Sequence, residues 1–246
     1  MVYHYHMDPA GPVLFAGAMR NKKFVILFIL FSFLFWLLQF ICQYLFLSKG
    51  DLGYSFIRSF SLTGALFISM SLFSSAVFKW HPQWAKYWTI RRALGVGGAT
   101  FICLHILFVL HIVFQWQVRS VFYSFNPLQN PVIFGAMAYS IFFVIALTST
   151  DWALIKLGGK RWKNIHRLVY LGYYAAVFHY LQMNPVALQN IFGYLLLLFT
   201  FLALAGELYW FIRIAGKNKF MTLGAKVGFA IILLYLITAY LVFVRK

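Results

Sequence analysis

Seven long apolar runs follow one another along the chain, with only short polar segments between them. Each run is close to the roughly 20 residues that a helix needs to cross the hydrocarbon core of a bilayer. Backbone amides in hydrocarbon must find their hydrogen bonds within the segment, so each run predicts a transmembrane helix. The sequence therefore predicts an all-α, polytopic membrane helix bundle of about seven spans. The predicted spans are Phe24–Leu47, Tyr54–Val77, Ala93–Trp116, Val132–Thr148, Ile165–Met183, Leu188–Ile212 and Leu223–Val244.

Composition narrows the class of protein further. Of the 246 residues, 63% are hydrophobic and 10% are charged, whereas soluble domains carry roughly 25% charged residues. The spans leave no stretch for a nucleotide-binding or flavin-binding domain. Cys42 and Cys103 both fall within apolar runs and lack metal-ligand spacing. The first residues lack the pattern of a cleaved signal peptide, so the first run is expected to stay in the membrane.

The net charge of +17 indicates an orientation in the membrane rather than a nucleic-acid partner. Basic residues concentrate in alternate loops, and Lys and Arg favour the cytoplasmic side of membrane proteins. This bias predicts a cytoplasmic N-terminus and an outer C-terminus, so the third and fifth spans run outward together. The residues assigned to the cytoplasmic side are Arg20, Lys22, Lys23, Lys79, Lys86, Arg91, Arg92, Lys156, Lys160, Arg161, Lys163, Arg213, Lys217, Lys219 and Lys226.

Histidines within the spans are the candidate functional residues, because ionisable groups in the membrane are costly. The third span contains His105 and His111, and the fifth contains His166 and His179. Imidazole is the usual axial ligand of a b-type haem, and two such ligands from facing helices make the iron six-coordinate. His166 and His179 lie about 20 Å apart along an ideal helix but roughly 140° apart around it. A bend, or side chains that swing around the helix, would have to bring both rings to haem.

Relative depth adds a second criterion. Pairing His105 with His179 on parallel helices puts His166 level with Arg92, beside Arg91. The outer haem would then have two histidine ligands, and the inner haem would have one histidine facing two arginines that could bind its propionates. The alternative is that the histidines only form hydrogen bonds within the bundle. His111 is better explained as an interfacial residue or as a neighbour of the outer haem.

Four stretches also carry a family resemblance. They are RRALGVGGATFICLH at 91–105, ALTST at 146–150, LGGKRWKNIHRLVY at 157–170 and VFHYL at 177–181. Together they resemble the haem-binding membrane subunit of the bacterial methionine sulfoxide reductase system (MsrQ, formerly YedZ). That family belongs to the ferric-reductase-like transmembrane group, and the resemblance covers roughly residues 55–185.

The resemblance implies one or two b-type haems, with His105 and His179 as ligands, His166 serving the inner haem, and Arg91 matching the family's arginine. It implies a bacterial inner-membrane protein that transfers electrons and has no substrate site of its own. Electrons would enter from a cytoplasmic flavin reductase, with bound flavin mononucleotide as one route, or from a membrane quinol. They would leave to a periplasmic molybdopterin enzyme that reduces methionine sulfoxide.

The implied organisation is a cytoplasmic tail over residues 1–23, a six-helix haem-binding core over 24–215, and a loop with an extra helix over 216–246. Six spans are usual in the family, so the seventh is a departure. Glu207 is a second departure. We expect it to pair with Arg167 or Arg213, the alternative being a proton or quinone site.

Two other functions are compatible with this sequence. One is a ferric or oxygen reductase that acts directly at the outer haem. The other is a transporter or assembly protein whose histidines bind no haem, for which broken helices with matched Gly or Pro interruptions would be expected.

Overall fold

The computed structural model describes residues 22–126, 129–183 and 191–215, together with Leu233. The regular structure in these ranges is entirely helical. The predicted seventh span, Leu223–Val244, and the predicted tail over 1–23 fall largely outside the described residues.

Six of the described helices match the first six predicted spans in order, and a seventh, Asp151–Arg167, occupies a segment for which the sequence mostly predicts a basic loop. The helices are α1 (Lys22–Cys42, continued by the π-helical turn Gln43–Leu47), α2 (Leu52–Trp80), α3 (Trp88–Ile112), α4 (Val132–Thr148), α5 (Asp151–Arg167), α6 (Val169–Met183) and α7 (Ile191–Ala215). The segments Lys22–Leu47, Leu52–Trp80, Pro82–Ile112 and Ile191–Tyr209 are each long and apolar enough to cross a membrane. Helix α4 and the α5–α6 unit pass the same criterion together, as a pair bent by 108°. The described part is therefore that of a polytopic helical membrane protein.

The fifth predicted span differs in the structure from a single straight helix. Helix α5 begins at Asp151, where the Thr150 hydroxyl accepts a hydrogen bond from the Ala153 amide, and it has a non-helical residue at Gly158 (φ 73°). It ends at Arg167, and α6 starts at Val169. His166 and His179 consequently lie on two different helices. Leu168 between them has helical backbone dihedrals (φ −61°, ψ −16°), so the interruption is confined to this turn.

Helix α2 is the central element of the bundle. Its side chains Leu62, Leu66 and Phe67 are almost fully buried. It packs against α3 at two glycines, where a Cβ on Gly64 or on Gly98 would lie 2.9 Å from the carbonyl oxygen of the other. Small residues of this kind let transmembrane helices approach closely. The close crossing holds the backbones of α2 and α3 in register.

Side-chain contacts also give the helix directions. Along α2 and α3, Gly53 lies beside Ile112 and the Ser71 hydroxyl donates to the Arg91 carbonyl at 2.9 Å, so these helices are antiparallel. Tyr170 and Tyr173 of α6 form side-chain hydrogen bonds with Ser75 and Ser69 of α2, respectively. Helix α6 is thus also antiparallel to α2, and α3 and α6 are parallel to each other. Their parallel arrangement agrees with the expectation from the sequence.

We predict that Gly98→Val destabilises the bundle, whereas Gly95→Ala on the same helix does not. A Cβ at Gly98 would meet the Ile68 side chain at 2.7 Å and the Gly64 backbone, but one at Gly95 meets only the Ser71 side chain at 3.3 Å. Overpacking of this kind costs about 1–3 kcal/mol. Thermal unfolding of both purified variants in the same detergent measures the difference, and equal melting temperatures would contradict this description of the crossing.

Candidate functional site

His105 is held by the main chain of the neighbouring helix. Its Nδ1 lies 2.9 Å from the carbonyl oxygen of Ile57 on α2. A carbonyl oxygen can only accept a hydrogen bond, so Nδ1 must carry the proton and Nε2 must keep its lone pair. Histidines that bind metals usually donate their second ring N–H in this way, which orients the ring and fixes the tautomer. His105 is therefore prepared to present Nε2 to a metal.

His179 on α6 has the same arrangement. Its Nδ1 lies 2.9 Å from the carbonyl oxygen of Pro131, at the start of α4. Gly135, one turn further along α4, packs directly against the imidazole, and a Cβ there would lie 3.1–3.2 Å from three ring atoms. The ring is thus oriented by a hydrogen bond on one nitrogen and by close packing against its face.

A buried asparagine fixes the loop that supplies the Pro131 carbonyl. Asn130 is fully buried, and its Nδ2 donates to the carbonyl oxygens of Val121 at 2.8 Å and Ser124 at 3.0 Å. Its Oδ1 accepts from the Val132 amide at 3.2 Å. These three bonds tie the loop before α4 to the first residues of the helix. They hold the acceptor of His179 in place.

The structure brings His105 and His179 together. Their side chains are near enough to interact electrostatically, and they lie on the parallel helices α3 and α6. The tautomer of each ring, assigned from its carbonyl partner, leaves Nε2 available on both. Two such nitrogens are the donor set of a six-coordinate b-type haem.

The side chain of Tyr180 also bears on whether a prosthetic group would fit here. The Tyr180 hydroxyl, next to His179 in sequence, is buried and has no hydrogen-bond partner. Arg58 on α2 is near enough to interact electrostatically with this hydroxyl. Buried polar atoms are normally satisfied, so an unsatisfied hydroxyl one residue from His179 suits a site that holds a polar group of a ligand. The residues present therefore fit a haem at the level of His105 and His179.

His166 has different surroundings. Its Nε2 lies 3.3 Å from the Thr148 hydroxyl, which itself donates to the Val144 carbonyl at 2.8 Å. The hydroxyl proton is used in that bond, so Nε2 is the donor to Thr148. The imidazole also stacks on Trp162 with ring centroids 3.8 Å apart. Unlike the other two histidines, His166 could bind a metal only through Nδ1, or through Nε2 after giving up its hydrogen bond with Thr148.

The two neighbouring arginines have separate surroundings. Arg92 donates from Nε to the Ser149 carbonyl and from Nη1 to Asp151, at 2.5 and 2.6 Å. It therefore ties α3 to the start of α5. Arg91 lies over the Trp88 ring at 4.3 Å, and its buried Nε has no hydrogen-bond partner. Both arginines interact electrostatically with His166. Of the two, Arg91 has the free donor capacity that a carboxylate would use.

Glu207 forms a different ion pair from the one expected. Lys79 of α2 contacts both carboxylate oxygens at 2.5 Å. Arg167, one of the two expected partners, instead donates to Asn164, and the side chain of Arg213 lies outside the described part of the chain. Lys79 is the partner because Gly206 lets α7 approach α2 so closely that a Cβ would lie 2.5 Å from that of Ala76. At this distance the lysine of α2 reaches the carboxylate directly.

Several residues that form the site have no signal in the sequence. The carbonyl groups of Ile57 and Pro131 are main-chain acceptors, and nothing in their side chains marks them. Gly135 could have been noticed as a glycine within an apolar run, one turn after a proline. Asn130 could have been noticed as an amide at the edge of a span, but its three bonds depend on the folded loop.

Comparison with known proteins identifies the family of this chain. The model of the ferric reductase like transmembrane component matches residues 57–177. Three proteins called protein-methionine-sulfoxide reductase heme-binding subunit MsrQ are similar to the chain. The one from Azospira oryzae is 36% identical over 117 residues, the one from Rhodospirillum rubrum 30% over 160, and the one from Herminiimonas arsenicoxydans 31% over 135.

The matched segments make up 47%, 60% and 49% of this chain, in the same order. They span about half of the Azospira protein (49%), 74% of the Rhodospirillum protein and 59% of the Herminiimonas protein. His105, His111 and His166 fall within the family model's range, and His179 lies two residues beyond it. The chain belongs to the MsrQ family, within the ferric-reductase-like group of transmembrane proteins.

Proposed function

We propose that this chain is a transmembrane electron-transfer subunit that holds a b-type haem between His105 and His179. The supporting observation is that both imidazoles donate Nδ1–H to a main-chain carbonyl of a neighbouring segment. Each therefore offers Nε2, and the two lie close together on parallel helices. The haem would supply a reversible one-electron carrier. The names of the relatives, which describe haem-binding subunits, support the same cofactor.

A second haem would lie at the other end of the bundle, near His166 and Arg91. Arg91 and His105 are fourteen positions apart on α3, which corresponds to roughly 21 Å along the helix. His166 would supply one axial nitrogen, and Arg91 would bind a propionate through its unpaired Nε. Arg92 would contribute indirectly, because its contacts with Ser149 and Asp151 hold the α5 helix that contains His166.

We further propose the orientation and organisation that charge bias indicates. Residues 1–23 would lie in the cytoplasm, residues 24–215 would form the haem-binding core, and residues 216–246 would add a loop and a seventh span. The His166 end would face the cytoplasm, and the His105–His179 end would face the periplasm, in a bacterial inner membrane. The cluster of basic residues near the His166 end supports this direction.

Electrons would enter at the cytoplasmic end from a flavin reductase, with flavin mononucleotide as an intermediate carrier, or from a membrane quinol. They would leave at the periplasmic end to a molybdopterin enzyme that reduces protein methionine sulfoxide. Support comes from the relatives' names, which assign them to protein-methionine-sulfoxide reductase. The chain would be the electron-transfer part of that system.

We predict that His105→Ala and His179→Ala lose the same haem. The two rings would bind opposite faces of one iron, so removing either leaves a five-coordinate or empty site. Oxidised and dithionite-reduced spectra with haem quantification measure this loss. His166→Ala should instead affect a second haem and leave the first intact.

The matched control is His111→Ala, because His111 is exposed and lies on the same helix as His105, with its ring centroid 5.8 Å from that of Trp116. Its spectrum should be that of the unmodified protein. Loss of different haems in the His105 and His179 variants would refute their pairing. A folded, colourless protein made with ample haem would refute haem binding altogether and favour the transporter or assembly function.

We also predict that Gly135→Ala changes the spectrum of the His105–His179 haem without unfolding the protein. The added Cβ meets the His179 ring atoms at 3.1–3.2 Å, so the imidazole must tilt or shift away from Pro131. A weaker axial bond should appear as a mixture of low-spin and high-spin signals in electron paramagnetic resonance. Ser140→Ala, an exposed position on the same helix, is the control. Identical spectra for both variants would contradict the role given to Gly135.

A further inference from the structure

A buried ion pair joins α2 and α7 near the His166 end. The Lys79 ammonium lies 2.5 Å from both carboxylate oxygens of Glu207, and Glu207 is only 5% exposed. Among the acidic residues that the structure describes, Glu207 is buried, Asp151 is half-buried and Asp51 is exposed. A carboxylate in this position is therefore exceptional within the described bundle.

The pair is linked to two more helices. Tyr170 of α6 interacts with Glu207 through a side-chain hydrogen bond and also with Ser75 of α2. Arg91 of α3 interacts electrostatically with Glu207 and Tyr170, and Lys79 is affected by the charges of Arg91 and Lys163. We call Lys79, Glu207, Tyr170 and Arg91 the charge cluster. It contains two cations, one anion and a tyrosine, and each of the four comes from a different helix.

Packing alone does not account for this cluster. Burying an ion pair costs desolvation free energy that a pair of apolar side chains would not, so a buried pair is weak evidence for stability. Ionisable groups inside a membrane are functional by default. The neighbouring residues give the function, because Arg91 also interacts electrostatically with His166. The cluster therefore adjoins the residues that would hold the second haem.

We propose that the Lys79–Glu207 pair balances the charge beside the His166 haem and so sets its reduction potential. This inference rests on the proposed function, since it needs a haem at His166. Reduction adds one negative charge to that site. Uncompensated cations nearby make reduction easier, and an uncompensated anion makes it harder. Glu207 offsets the positive charge of Arg91 and Lys79, and Lys79 limits the effect of Glu207. Both act through their charges at a distance, and neither is placed in contact with the haem.

The size of the effect follows from simple electrostatics. A unit charge roughly 10 Å away, in a medium of effective permittivity about 20, changes the reduction equilibrium by about tenfold. For one electron, a tenfold change corresponds to about 59 mV. We expect Glu207→Gln to raise the potential of the His166 haem by about this amount and Lys79→Met to lower it. The double variant, which removes both charges, should return close to the unmodified value.

The experiment is a spectroelectrochemical titration of the purified full chain with its haem. The haem that is lost in His166→Ala identifies the signal to follow. Lys79→Arg keeps the charge and should keep the potential, and Lys86→Met removes an exposed lysine and should shift it little. If the single variants fold poorly, the double variant and Lys79→Arg still test the idea, because neither leaves an unpaired charge.

Opposite shifts in the two single variants, cancelled in the double variant, would support the inference. A purely structural pair would lower the melting temperature or haem content of the single variants without these opposite shifts, and that result would overturn it. A shift in either the double variant or Lys79→Arg comparable to those expected of the single variants would also overturn it. Absence of any haem at His166 would instead refute the second haem of the proposed function, while the His105–His179 haem would remain testable.

Discussion

Two hydrogen bonds from imidazole N–H groups to main-chain carbonyls are the interactions on which the candidate site depends. Each requires a carbonyl whose oxygen is directed to a neighbouring helix, although helical carbonyls normally point along their own axis. Ile57 lies in α2, and Pro131 lies immediately before α4, where its oxygen also accepts a hydrogen bond from the Phe134 amide. Because the acceptor is a carbonyl, the proton must sit on Nδ1 of both rings. The backbone thereby determines which nitrogen a metal can use.

Close helix packing keeps those acceptors in position. Gly64 and Gly98 bring α2 and α3 together, so that Ile57 faces His105, and Gly135 lets α4 lie against the ring of His179. Without a hydrophobic driving force between helices in lipid, such contacts depend on van der Waals packing of small residues and on interhelical hydrogen bonds. The same small residues therefore both assemble the bundle and orient the rings. A change at Gly64 or Gly98 should therefore affect stability and the site together.

The sequence predicts α1, α2, α3 and α7 well because a span in lipid has a characteristic length and composition, whereas α5 lies mostly where a basic loop is expected. The pairing of His105 with His179 is implied by the family resemblance, and helix rise and parallel direction only place His166 level with Arg92. The sequence predicts less about what lies between helices. The partner of Glu207 depends on how closely Gly206 lets α7 approach α2, and the break at Leu168 separates two residues that a single apolar run had joined. Both depend on tertiary contacts, which hydropathy and spacing do not describe.

The contrast between the two ends of the bundle suggests a division of roles. At the His105–His179 end, ligand orientation comes from neutral main-chain groups and close packing. At the His166 end, the histidine bonds a hydroxyl and stacks on Trp162, and the surroundings are charged. Fixed dipoles hold geometry, whereas net charges act over longer distances and change the free energy of adding an electron. An electron entering at the charged end would therefore meet a site adjusted by charge before it reached one defined by geometry. In that order, the charge cluster would control the transfer of the electron into the His166 end. The next transfer would be rapid, because the geometry of the His105–His179 end is fixed.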